Sequence, residues 1–147
     1  MSYATNADIE ERLGTATYIE LTDDTGSGQP DEDKVTEARL AAEAEIDSYL
    51  GRRFAVPIDV GGQPGLVAML KRLTLDLAEY RLRMRRPPVT KDARLQCDAA
   101  LLWLSRAANA EVALPTIVEL PSNSGLGPAA ETVGGERVLT GDGWEAV

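Results

Sequence analysis

The chain has 147 residues, a formal net charge of −9, no histidine and a single cysteine, Cys97. That length suits one domain with room for an appendage. Without histidine the commonest general base is missing, as is any Ser-His or Cys-His pairing, and a zinc or iron site would need carboxylates alone. No catalytic, cofactor or metal site is therefore expected. The lone cysteine excludes an internal disulfide and fits a reducing compartment. Apolar residues make up 44% of the chain but aromatics only 5%, so any core is mostly Leu, Ala, Val and Ile. There is no run of 18 apolar residues, and no membrane-spanning helix is expected. The opening MSYATNADIEE lacks a basic stretch leading into an apolar one, so no secretory signal is expected there.

The first helix is predicted over residues 6–13. Asn6 is placed to cap it, Asp8, Glu10 and Glu11 complement its positive end, and Gly14 stops it. Tyr18, Ile19 and Leu21 then read as a short strand or extended segment, and residues 22–30, TDDTGSGQP, as a loop. A second helix starts at residue 31 or 32 and runs to Leu50. Val35, Ala38, Ala42, Ile46 and Tyr49 recur every three or four residues as its apolar face, and Gly51 is placed as the left-handed residue after its end. Pro57 keeps residues 52–60 extended, and residues 61–65, GGQPG, make a turn. That turn lacks the GK[ST] ending of a phosphate loop, and Pro64 removes a needed donor. The acidic groups Asp23–Asp24 and Asp31–Glu32–Asp33 lack the alternating ligands and fixed glycine of a calcium loop, so they read as loop solvation and helix capping.

A third helix runs from residue 64 or 65 to about 86. Leu66, Leu70, Leu73, Leu77, Tyr80 and Met84 form its stripe, widened by Met69 and Leu82, and Pro87 and Pro88 end it. A fourth covers about residues 90–109 and has two candidate faces. Leu95, Ala99, Leu102 and Arg106 line one; Cys97, Ala100, Leu101, Leu104 and Ala108 line the other, which is the better core face, with Trp103 at its edge. From Leu114 proline and glycine take over and helical periodicity ends. The expected fold is thus mainly α: a small four-helix bundle over residues 1–113, then an extended C-terminal arm over residues 114–147. The arm's last stretch, ERVLTGDGWEAV, has the pattern of a short β-hairpin turning at residues 140–143. It carries Val138, Leu139, Trp144 and Val147, a set suited to a groove or sheet edge, with the indole as anchor. The competing reading folds Trp144 back onto its own domain.

Charge is segregated. Residues 1–50 hold 3 basic and 13 acidic side chains, residues 51–110 hold 11 and 5, and residues 111–147 hold 1 and 6. Such blocks suit copies docking side by side, acidic part against basic part, or an acidic helix packing on a basic one within a single molecule. Arg81, Arg83, Arg85 and Arg86 wrap the end of the third helix, where cations complement its dipole. They fit a solvated helix end, a contact with an acidic partner, or a contact with DNA. Arg52 and Arg53 carry the same three readings.

Tyr3, an early helix ending at Leu13, the LTDD of residues 21–24, a helix ending EIDSYLGRRFAVP and a further helix ending near Tyr80 follow one another in characteristic order. Over residues 3–108 this arrangement resembles a connector family found among the head genes of Mu-like tailed phages and prophages. The resemblance rests on many positions rather than one motif. It implies a structural virion protein, an adaptor in the neck that binds the capsid portal and links head to tail. It also implies a ring, commonly of twelve copies, with the portal above, a neck or tail protein below, and DNA only passing through the lumen. The location implied is the head–tail interface of the virion, and the host cytoplasm during assembly. The family commonly has a basic or small residue at the position of Arg52 and Arg53, followed by an aromatic and a proline, as here.

The rival reading is a small helical regulatory or DNA-binding protein. It would need base-reading polar residues on the first turn of a helix, and the starts at Asp31, Gly65 and Thr90 offer acids or small residues. A hydrolase is weaker still, lacking both histidine and a nucleophile elbow.

Overall fold

The computed structural model describes residues 1–114. Among them are five helices and no strand: α1 Asn6–Leu13, α2 Thr15–Thr22, α3 Glu32–Leu50, α4 Pro64–Met84 and α5 Lys91–Ala108. The mainly α expectation holds. The arm residues Val138, Leu139, Trp144 and Val147, and the hairpin expected there, lie outside the described residues. Leu114, which composition assigns to the arm, is buried in the helical core.

The added helix is α2, where a strand or extended segment was expected. Gly14, at φ 78°, takes a backbone conformation that L side chains rarely adopt, and it ends α1 and starts α2. Tyr18, Leu21 and Thr22 then fall three and four apart and bury together. Aromatic and β-branched residues favour strands only where a sheet receives them, and the neighbours here are helices.

Capping differs from expectation at α1 and agrees at α3. Thr5, not Asn6, caps α1: its hydroxyl accepts the Asp8 N–H at 3.2 Å, and the Asp8 carboxylate accepts the Thr5 N–H at 2.8 Å. Asn6 instead donates to Glu32 and Thr36 and accepts from Arg39, tying α1 to α3. Asp31 and Thr90 cap α3 and α5. Gly51 is right-handed, at φ −60°, not left-handed. What calls for glycine is space, since a Cβ there would lie 2.9 Å from the Asp47 carbonyl oxygen.

Helices α3, α4 and α5 touch one another, and α1 and α2 pack against both α3 and α4. The expected stripes are inward: Val35, Ala42 and Ile46 on α3, Leu66, Leu70, Leu73 and Leu77 on α4, and Cys97, Ala100 and Leu104 on α5. Tyr49, Tyr80, Met69, Leu101 and Trp103 are partly buried at its edge. Met84, expected on the α4 stripe, is 54% exposed at the helix's last turn. Leu82 is fully buried. It continues a second line with Thr74 and Ala78, four apart, on a helix that, like α3, all the others touch. Between α3 and α4 the chain runs without regular structure from residue 55, anchored by buried Phe54 and Ile58.

Candidate interaction surface

Four arginines at the end of α4 are the strongest charge feature of the sequence, and each has an acidic partner within the chain. Arg81 donates to Glu45 on α3 at 2.6 Å. Arg83 pairs with Glu79 one turn back at 2.8 Å. Arg85 reaches Asp24 at 2.6 Å and the Leu21 carbonyl at 2.9 Å, while Arg86 reaches Asp24 at 3.2 Å and the Asp23 carbonyl at 2.5 Å. The acidic N-terminal block therefore meets the basic helix end inside one molecule, as one of the two charge-block readings required.

The LTDD segment is the hinge of this arrangement. Asp24 is held by Lys34, Arg86 and Arg85 together, in that order of influence, which keeps its carboxyl down at about 2. Asp23 faces the other way, into its own loop. It accepts the Gly28 N–H at 2.6 Å, the Thr25 N–H at 3.0 Å and the Ser27 hydroxyl, and these donors hold it well below the usual carboxylate range. Asp31 caps α3 and pairs with Lys34 at 3.2 Å. Loop solvation and capping are thus what these acids do in the fold.

Arg52 is exposed and its contact is with the Asn109 side chain at 3.4 Å. Arg53 donates to the carbonyls of Ala107 at 2.6 Å and Val112 at 3.3 Å, and its guanidinium lies 5.0 Å from the centre of the Phe54 ring. The two adjacent arginines divide: Arg53 closes the end of α5, and Arg52 stays at the surface.

Two buried polar clusters escape sequence reasoning altogether. In the first, Arg12 on α1 reaches Asp76 at 2.6 Å and Glu79 at 2.8 Å on α4, and Gln96 on α5 at 2.7 Å. Asp76 and Glu79 are 7% and 8% exposed. In the second, Glu43 takes the Tyr3 N–H at 3.0 Å and the Ser2 hydroxyl at 2.6 Å, and pairs with Arg39. The Tyr3 hydroxyl donates to Asp47 and accepts the Ile58 N–H at 2.8 Å, so it joins the N-terminus to α3 and to the 52–60 segment. Burial, then Asp47, raises the Tyr3 pKa. No described buried side-chain polar atom lacks a partner. The available signal was that Asp76 and Glu79 are the only two acids on a helix otherwise mostly apolar or basic, but which cation meets them is a tertiary fact.

A cavity of about 170 Å³ beside α4 and α5 is lined mostly by apolar side chains, Leu77, Tyr80, Met84, Cys97 and Leu101, together with Glu45 and Arg81. Burial raises the Cys97 thiol pKa, which makes it an inert wall residue. No described helix is long and apolar enough to cross a membrane.

This is a small, mainly α protein whose cationic and anionic blocks, among the described residues, are knitted together internally. The family described as Bacteriophage Mu, Gp36 matches residues 3–127 of it. The chain belongs to that family and is a protein of the Mu-like phage type. None of the curated proteins compared matches it.

Proposed function

We propose that the chain is a structural adaptor of the phage neck, a protein that binds the capsid portal, assembles as a ring and links head to tail without chemistry of its own. The observation that carries this reading is the family match over residues 3–127, which covers the helical body and the first part of the arm. The body supports it as well. Its N-terminal layer is pinned by partnered polar groups, giving a stiff block of the kind that keeps its shape when stacked in a ring. Docking on the portal falls to the arm, through Val138, Leu139, Trp144 and Val147, whose apolar side chains suit a groove while the backbone pairs with an exposed edge.

The test is light scattering after gel filtration of the full chain, alone and with portal. Complex formation with several copies per portal is expected. Deletion of residues 134–147 and, separately, Trp144→Ala should each abolish or strongly weaken it. If both bind as the intact chain does, the arm is not the docking element. Failure of the intact chain to bind any portal overturns the adaptor reading.

A further inference from the structure

The internal pairing of the α4 arginines changes where a subunit contact is to be sought. Reversing Arg83 or Arg86 would first break the Glu79 and Asp24 pairs inside the protomer. Once such pairs are set aside, two outward helix faces stand out.

On α5, Leu95, Ala99 and Leu102 follow one another at i, i+4 and i+7, directly opposite the buried Cys97–Ala100–Leu104 line. Leu95 and Leu102 are 55% and 54% exposed. A helix apolar on two opposite faces is characteristic of one covered on both. Lys91 and Arg94 lie beside this stripe, exposed and in none of the ion pairs of the described residues. On α3, Leu40 and Ala44 are exposed opposite the Val35–Ala42–Ile46 line, Leu40 at 52%. Their neighbours toward the helix start are Asp33 and Glu37, likewise exposed and in none of those ion pairs. Helix α5 carries three cations against two carboxylates, and α3 six carboxylates against two cations.

We infer that the Leu95–Ala99–Leu102 face of α5 docks on the Leu40–Ala44 face of α3 in a second copy of this chain, with Lys91 and Arg94 set against Asp33 and Glu37. The inference rests on the ring reading above and names its contact. Each face has an apolar centre, small at an alanine, so that two helices approach closely. The α5 face brings the unpaired cations Lys91 and Arg94, beside the exposed Asp92 and Asp98, and the α3 face brings the unpaired carboxylates Asp33 and Glu37 with both of its cations already paired, so the lysine and arginine orient the approach. The α3 and α5 faces belong to different helices of the mutually packed α3–α4–α5 core and point away from it. One copy therefore has both to offer, and the contact is head-to-tail, closing into a ring if the rotation per subunit permits.

The experiment counts copies by light scattering on the full chain over rising concentration, alone and with portal added. Leu95→Ser with Leu102→Ser, and separately Leu40→Ser with Ala44→Asp, should raise the half-assembly concentration by about tenfold or more while helix content stays unchanged. A mixture of the two variants should form dimers and stop there, since each retains the face the other has lost. Glu37→Lys should weaken assembly, and Lys91→Glu with Arg94→Glu added to it should restore much of what was lost. If both double variants assemble like the unmodified chain, the faces are wrong while the ring reading stands. A mixture that stays monomeric overturns the head-to-tail pairing. An unmodified chain found only as single copies, alone and on portal, overturns this inference and the ring together.

Discussion

Residues 1–31 and helices α3–α5 are held in place by different forces. The three long helices close over a core of leucines and small residues: Leu70, Leu73 and Leu104 have no exposure, and Ala42, Ala78 and Ala107 let the backbones approach. The N-terminal layer buries Ile9, Tyr18 and Leu21, but it is positioned by polar groups, through Tyr3 to Asp47, Glu43 to the first backbone amides, Arg12 to Asp76 and Glu79, and Asp24 to Lys34, Arg85 and Arg86. Apolar burial is non-directional and nearly indifferent to salt and pH, whereas ion pairs and hydrogen bonds fix direction and register. The body should therefore unfold as a unit, and its N-terminal layer should respond to charge.

Leu73→Ala tests the apolar half and has the largest expected effect. Leu73 sits fully buried in the cluster that includes Ile46 and Leu70, with Leu101 packed against it, so truncation should cost about 2–5 kcal/mol in urea unfolding. A loss well under about 1 kcal/mol would mean that the site collapses or that the stripe is not core. Arg12→Ala probes the polar half. It leaves Asp76 without its close partner, and the cost should be about 2–3 kcal/mol, below the range for a fully buried pair, because Arg12 is 23% exposed and Glu79 keeps Arg83. An unchanged midpoint would show that water replaces the guanidinium. Tyr3→Phe removes the hydroxyl that joins Asp47 to the Ile58 amide and should cost about 1–2 kcal/mol, with faster amide exchange at Ile58 as its signature.

The smallest effect is local and pH-dependent. The Asp24 carboxyl is lowered in the fold from an ordinary 3.8 to about 2. The unfolded or opened loop thus binds the proton more readily, so the Asp24 clamp is fully present above about pH 4 and is lost as pH falls through about 2. The Arg85 and Arg86 guanidinium N–H resonances should move toward those of free arginine over that window while the α4 backbone amides stay protected. Asp24→Asn should show the same shift at neutral pH. Identical guanidinium resonances at pH 2 and pH 6 would refute the clamp.

Much of this architecture was legible in the residues. The helices over Glu32–Leu50, Pro64–Met84 and Lys91–Ala108, the acidic cap of the first of them and the inward stripes followed from periodicity and start and stop signals. Helix α2 was misread because, unlike the equally short α1, it has no side-chain cap and no acid in its first turn, and YIEL suits a strand equally well until its neighbours are known. The arginines of α4 were legible as a cluster but not as internal partners of Asp24, Glu45 and Glu79, since sequence shows charge and not distance. The outward line of α5 was visible as the lesser of two faces, and only the packing showed that none of the other described helices covers it.

By itself, then, the sequence determined helix content, the order of the long elements, the apolar lines that must be buried and the absence of histidine chemistry, because these depend on neighbours within a turn or two. The tertiary structure decided everything that needs two distant segments to meet. It made a helix of Thr15–Thr22, placed two acids of α4 around Arg12, and let Tyr3 reach both Asp47 and Ile58. It also spent the most conspicuous cations of the chain on its own acidic loop. Local spacing sets which face of a helix is apolar; which other helix covers that face, and which charge lies within about 3 Å of another, is settled only when the whole chain packs.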